Sequence, residues 1–360
     1  MRGFVDAPLS LRLSNALVSY AKYLLLTVWP SNLGVYYPFS PAGVPTWQLA
    51  AALVLVTLIT AIALRQARTR PYLIMGWLWF LGTLVPVIGL VQVGGQSMAD
   101  RYHYIPSIGL FVAIVFCLSD LATTWRIGRV EIAVVSATGL LLFGSLTAFQ
   151  ISRWRDSATL FEHTLSVTSD NLVVHYNLGH VLGQEKRFDE AVPHFVEALR
   201  IKPDFFDALV NMGVTLLEQG KPDEAISYYH RALGVEPYSA KAHMQLALAL
   251  VKQEKGDDAL VQFYKAMELA PNDPDVRTNL GLMLARKGKL SEAISQLDEA
   301  LRLNPDSAEA HNNLGLVFLM AGQPEKSLSH FSTALDLKPN FTVALDNLRR
   351  AQRQIDAHKK

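Results

Sequence analysis

Hydrophobic and polar positions divide the chain near residue 150. Before it, uncharged apolar runs dominate: Trp47–Leu64, Tyr72–Val93, Ile105–Leu118 and Ile132–Phe149. About 20 such residues cross the hydrocarbon core of a bilayer as a helix. Each run is therefore predicted to span a membrane, with Pro86 kinking the second. The earlier run Leu11–Trp29 carries Lys22 near its centre. It either crosses, or lies on the membrane surface as an amphipathic helix whose Lys22 reaches the headgroups. Beyond residue 150 small, apolar and proline positions recur every 34 residues. Pro203, Pro237, Pro271, Pro305 and Pro339 keep this step, as do Gly179, Gly213, Ala247, Gly281 and Gly315. So do Ala198, Ala232, Ala266, Ala300 and Ala334, and the bulky series Phe195, Tyr229, Phe263, Leu297 and Phe331.

This period resembles the tetratricopeptide repeat, a helix–turn–helix unit of 34 residues. The expected fold class is all-α: polytopic transmembrane helices over residues 1–150, then a tetratricopeptide-repeat α-solenoid of five repeats over 171–341. Small residues at the helix crossings let backbones approach to about 8–10 Å. Proline ends each second helix by supplying no N–H and restricting the residue before it. No unit buries its apolar face alone, so the units stack around a concave surface. Phe161 falls 34 residues before Phe195, which makes 151–170 the expected second helix of a degenerate repeat packed on the last membrane helix. Polar 342–360 is expected to cap the array.

Charge sharpens the division. Only Asp6, Asp100, Asp120 and Glu131 lie in the first 150 residues, and 28 of the 32 acidic residues lie beyond. A net charge of +1 argues against nucleic-acid binding, which needs a dense basic surface. Cys117 is the single cysteine, so no disulfide forms within the chain. Met1–Ser10 lacks signal-peptide organisation. Arg65, Arg68 and Arg70 join the first two confident spans and Arg126 and Arg129 the last two. Short arginine-rich loops stay cytoplasmic. An integral, multi-pass membrane protein with its repeats on the extracytoplasmic side is the expected arrangement.

Between the second and third confident spans, Met98–Ser107 gathers a carboxylate, a guanidinium, an imidazole and phenols on the outer face. Asp100, Arg101 and His103 are candidates for contact with a lipid phosphate, since the arginine fork donates two parallel hydrogen bonds. The alternative is a juxtamembrane anchor in which Asp100 and Arg101 pair. The segments YYPFSP (36–41), ADRYHYIPSIG (99–109) and WRDS (154–157), followed by the repeats, resemble the transmembrane-and-tetratricopeptide-repeat O-mannosyltransferase family and its bacterial relatives. That resemblance implies a membrane glycosyltransferase of the GT-C architecture, which moves sugar from a polyprenyl-phosphate carrier to hydroxyls of secreted proteins. It carries the carrier-phosphate role onto Arg101 and Asp100. The family's catalytic carboxylate stands in a first external loop that has no counterpart here, and Arg101 is expected to lower the Asp100 pKa and make it a poor base. The chain therefore looks like the carboxy-terminal portion of such an enzyme, and its catalytic residues are unassigned.

In the repeats, Asn177, Asn211, Gln245, Asn279 and Asn313 stand two residues before each small position. A carboxamide both donates and accepts, so a column of them can pair with the backbone of an extended peptide without reading its side chains. This is similar to the asparagine ladder of O-GlcNAc transferase. The alternative is that the carboxamides cap or bridge neighbouring helices. The repeat class that grips carboxy-terminal carboxylates is excluded by Tyr176, His180, Val210 and Val214 at its lysine and asparagine positions. His175, His243 and His311 lie two repeats apart, roughly 20 Å, beyond the reach of one ion, so no metal is expected. No phosphate-cradling glycine loop or nucleophile elbow is present, and no cofactor is expected. The function implied is recruitment of extended polypeptide outside the cytoplasm for a polyprenyl-phosphate-sugar-dependent protein O-glycosyltransferase. The alternative is an envelope scaffold without a glycosylation role.

Overall fold

The computed structural model describes residues 8–30, 33–38, 43–88 and 96–358, with only the backbone of Gln96, Arg101 and His358. It divides into two compact units, residues 1–201 and 202–360, and the described residues form seventeen α-helices.

The first unit opens with α1 (Leu9–Val28), a short strand β1 (Tyr37–Pro38), α2 (Thr46–Arg65) and α3 (Pro71–Leu84). Strand β2 (Gln96–Met98) and a 3-10 turn over Asp100–His103 lead into α4 (Tyr104–Thr124), then α5 (Arg129–Arg153). By length and composition α2, α4 and α5 are the three described helices that can cross a membrane. Helix α3 is apolar but has 14 residues. It ends at Leu84, where the sequence reading carries the helix to Val93; residues 89–95 lie outside the described set. Pro86 accounts for the stop, because it has no N–H and its ring collides with the carbonyl four residues back.

Helix α1 takes part in the core of this unit. Its Ala16 and Tyr23 are buried with Trp77, Phe80, Leu84, Ile88 and Met98, and Tyr20 Oη donates to the Leu81 carbonyl at 2.7 Å. Lys22 faces away and is exposed. Helices α3 and α4 cross backbone to backbone at two glycines: a Cβ added to Gly109 would stand 2.6 Å from the Gly76 carbonyl oxygen, and one on Gly76 would strike the Gly109 carbonyl. Small residues permit such close crossings in apolar bundles. At one end of this pair Asp120 accepts from Tyr72 Oη at 2.6 Å and lies 3.2 Å from Arg70. No side chain of α5 is buried.

Helix α6 (Ser157–Val167) begins at Asp156, whose carboxylate accepts from the Thr159 amide at 2.8 Å. It packs on α7 (Leu172–Gln184), the first helix of the first full repeat, which α8 (Phe188–Ile201) completes.

The second unit repeats this pairing: α9 (Phe206–Glu218) with α10 (Pro222–Val235), α11 (Ala240–Lys252) with α12 (Gly256–Leu269), α13 (Pro274–Arg286) with α14 (Leu290–Leu303), and α15 (Ala308–Met320) with α16 (Pro324–Leu337). Helix α17 (Thr342–His358) packs on α16. Within a repeat the small position of the first helix meets the bulky position of the second. A Cβ on Gly213 would lie 2.5 Å from the Tyr229 ring, and one on Gly315 2.8 Å from the Phe331 ring. The turn between paired helices is a Schellman closure: Lys221 N–H donates to the Leu216 carbonyl at 2.9 Å, and Lys255, Lys289 and Gln323 make the equivalent bond. Its left-handed residue recurs at Lys186, Gly220, Glu254, Gly288 and Gly322, with φ between 59° and 76° at the last four. Each second helix ends two residues before its proline.

Candidate functional site

Two places in the fold gather the residues singled out by the sequence. The first surrounds Asp100. Strands β1 and β2 pair antiparallel, Tyr37 opposite Met98, and this brings Tyr37 Oη within 3.2 and 3.4 Å of the two Asp100 oxygens, to which it donates. The same hydroxyl accepts from the Gly34 amide at 2.8 Å. Tyr23 holds the chain just before the acid, donating to the Ala99 carbonyl at 3.0 Å and accepting from the Ala99 amide at 3.1 Å. His103 Nε2 lies 2.8 Å from Thr27 Oγ1, and its ring stacks on Tyr23 at 5.3 Å. His103 Nδ1 is buried and has no hydrogen-bond partner among the described residues.

Burial governs the electrostatics here. It pushes the Asp100 carboxyl up to about 7, against the opposing hydrogen bonds from Tyr37 and the Gly34 amide. It also lowers His103 to about 4 and raises the Tyr37 phenol, with the Asp100 charge adding to the rise. Desolvation of the carboxylate outweighs the two hydrogen bonds that favour its charge. The side chain of Arg101 lies outside the described residues. At neutral pH the cluster offers an uncharged imidazole and a carboxyl balanced between its two forms, a set able to exchange a proton or to face an anion with little repulsion.

The loop carrying Tyr37 is fastened on its other side to the repeats. Val35 N–H donates to Thr164 Oγ1 of α6 at 3.2 Å. Asn171, fully buried, donates to the Tyr36 carbonyl at 3.0 Å and accepts from the Val174 amide at 3.3 Å. Periodicity could not reveal these partners, since Tyr37 and Asp100 are 63 residues apart and Tyr36 and Asn171 are 135 apart.

The second place is the row of first helices in the second unit, which carries four of the five carboxamides. Asn177, Asn211, Gln245, Asn279 and Asn313 are all half-buried on first helices. Asn177 belongs to the first unit and the other four to the second. Gln245 and Asn279 line one cavity of about 340 Å3. Its walls are Val214, Leu217, Leu248, Val251, Phe263, Leu282 and Met283, and Glu218, Lys252 and Arg286 also line it. Asn279 Nδ2 donates to the Asp275 carbonyl at 2.9 Å, one turn back on its own helix. Farther along, Asn313 Oδ1 accepts from Asn312 at 3.3 Å, and Asn312 Oδ1 accepts from Asn347 at 3.0 Å. Asn347 continues the 34-residue register into α17, a sixth member that the sequence reading passed over; here it is buried and bridges helices. The histidine column is not brought together. Instead His175 pairs with His194 and His311 with His330 inside single repeats, Nδ1 to Nδ1 at 3.2 and 3.1 Å.

Profiles of the tetratricopeptide repeat match residues 173–205, 210–274, 281–322 and 308–341, the segments built from paired helices. The paired helices and these matches make residues 173–341 a series of tetratricopeptide repeats, preceded by apolar helices. Among curated proteins the chain is similar to the human protein O-mannosyl-transferase TMTC1, with 28% identity over 217 residues, 56% of this chain and 24% of that protein. The mouse TMTC1 is 30% identical over 156 residues, 43% of this chain and 16% of that protein. The Caenorhabditis elegans protein O-mannosyl-transferase F38B6.6 is 29% identical over 188 residues, 51% of this chain and 26% of its own length. The chain contains tetratricopeptide repeats, is similar in part to the TMTC protein O-mannosyl-transferases, and spans about a quarter or less of the length of these relatives. Solved structures similar to it include YrrB, described as a TPR protein with an unusual peptide-binding site, at 25% identity and TM-score 0.41, covering 52% of this chain and 97% of that one. The Thermus thermophilus TPR protein TTC0263 has 24% identity and TM-score 0.44, covering 50% and 97%.

Proposed function

We propose that the repeats hold extended polypeptide along their concave face, and that the chain is the acceptor-recruiting part of a polyprenyl-phosphate-sugar-dependent protein O-glycosyltransferase. The observation that carries this reading is the shared cavity of Gln245 and Asn279, two carboxamides one repeat apart over an apolar floor. Carboxamides in register can pair with successive peptide groups, while the apolar walls take side chains. In this reading residues 151–170 form a degenerate repeat, 171–341 the five repeats and 342–360 the cap. Arg65, Arg68, Arg70, Arg126 and Arg129 hold their loops in the cytoplasm, so that the repeats face outward from an integral multi-pass segment. The Asp100, Arg101 and His103 region meets the carrier phosphate there. The similarity to protein O-mannosyl-transferases supports the glycosylation role.

The test is peptide binding by the full chain in detergent, with Gln245→Ala and Asn279→Ala combined. Affinity for unstructured peptides is expected to fall about tenfold or more, since each lost peptide-group hydrogen bond is worth about 0.5–1.5 kcal/mol, while helicity is retained. Undiminished binding by a folded double variant sinks the proposal. A second reading, a scaffold that assembles envelope complexes through side-chain contacts, draws on the Asn347–Asn312–Asn313 chain, where a column member serves the solenoid itself. Under it, Asn313→Ala lowers stability and leaves peptide binding unchanged.

A further inference from the structure

The carboxamide column has a charged companion. Seven residues after each carboxamide of the second unit's first three repeats stand Glu218, Lys252 and Arg286, all exposed. Seven residues are two helical turns, so each pair shares a helix face about 10 Å apart. All three side chains line the cavity that contains Gln245 and Asn279. None of them takes part in an ion pair within 4 Å among the described residues. Glu218 is the one carboxylate in the cavity lining and lies beyond ion-pair distance of Lys252 and Arg286, and the remaining neighbours are the two carboxamides and apolar side chains. A second pocket of about 300 Å3 in the same unit joins Leu316 and Met320 to Arg350 and Arg353. It repeats the combination of an apolar floor and two cations.

We infer that the peptide preferred by this groove is acidic and apolar: one aliphatic or aromatic side chain fills the Leu248, Phe263 and Leu282 pocket, and carboxylates on either side of it face Lys252 and Arg286. This rests on the peptide-binding reading above and adds its selectivity. Glu218 in the preceding repeat sets the limit of the acidic stretch by repelling a further carboxylate. Packed helices lie about 8–10 Å apart and an extended chain rises about 3.3 Å per residue. Side chains alternate along an extended chain, so the apolar anchor and the two carboxylates share a face when a carboxylate stands two residues to either side of the anchor, a span that the long Lys252 and Arg286 side chains can meet. The carboxamides hold the backbone and the cations choose the sequence.

The experiment uses the full chain in detergent and three fluorescent 12-residue peptides that share a central Leu and carry Glu, Lys or Gln two residues before and two residues after it. At low salt the Glu peptide is expected to bind about three- to tenfold more tightly than the Gln peptide, the sum of two exposed ion pairs, and the gap closes in 0.5 M salt. Combined Lys252→Glu and Arg286→Glu is expected to move the preference to the Lys peptide and leave the Gln peptide's affinity in place. Equal binding of the three peptides, or an unchanged ranking after charge reversal, overturns the inference and leaves the peptide-binding reading standing. Binding of none of the three overturns both.

Discussion

Tyr37 donates to the carboxyl of Asp100 across 63 residues of chain, and burial holds that carboxyl near a pKa of 7 while it holds nearby His103 near 4. Both groups are uncharged in the folded protein at slightly acidic pH, with opposite consequences. The folded state holds the Asp100 proton over a window, from about 4 to 7, in which the unfolded state has released it, so this group favours folding at low pH and its contribution falls as pH rises. The unfolded state protonates His103 below about 6.5, which favours folding at higher pH. Between about pH 4 and 6.5 the two slopes cancel. Thermal unfolding in detergent is expected to show stability rising with pH across that window in Asp100→Asn and falling in His103→Gln, each relative to the parent chain. Parallel profiles for the two variants would show that the cluster does not titrate in this way.

The crossing of α3 over α4 leaves no room at Gly76. Its added Cβ meets the Gly109 backbone, which cannot swing aside, whereas Gly82 on the same helix has nothing within 4 Å of the equivalent atom. Gly76→Ala is expected to cost about 1–3 kcal/mol, the range for overpacking, and Gly82→Ala to be neutral or slightly stabilising. Unfolding curves of the two variants in one detergent decide this.

Turns between paired helices all place one residue in the left-handed region, but Glu254 does so with a side chain where Gly288 has none. An L side chain there costs about 1 kcal/mol. Glu254→Gly is expected to gain about that amount and Gly288→Ala to lose it. Denaturant midpoints at constant m-value are the measurement.

Tyr229 buries a hydroxyl that has no hydrogen-bond partner among the described residues, at a position that is Phe in three other repeats. An unsatisfied buried polar group costs about 1–3 kcal/mol. Tyr229→Phe is expected to stabilise the second unit by about 1 kcal/mol, and a loss of stability would reveal a partner for that hydroxyl.

Spacing made the repeats legible, because helix pairing, small crossings and terminal prolines all follow the same 34-residue step. It concealed the left-handed turn register, since Lys186 and Glu254 interrupt a run that is otherwise Gly. It also concealed Asn347, which lies in a helix whose polar composition marks it only as a cap. In the apolar half, helix positions follow from hydrophobicity, but partners do not: nothing in an uncharged run tells Gly76 to meet Gly109. Pro86 marks an interruption without saying whether the helix bends or stops. The direction of the Asp100 shift was illegible for a related reason. A neighbouring arginine can be read from sequence, while desolvation, the largest cause of the rise, exists only after folding.

Residues 33–38 are fixed at both edges, to Asp100 through Tyr37 and to α6 and α7 through Val35 and Tyr36. The bonds fall on three consecutive residues, so this segment works as a gauge block between the acid and the first repeat. One residue inserted between Val35 and Tyr37 would turn the phenol to the opposite face of its strand, and the acid and the first repeat could no longer both be gripped.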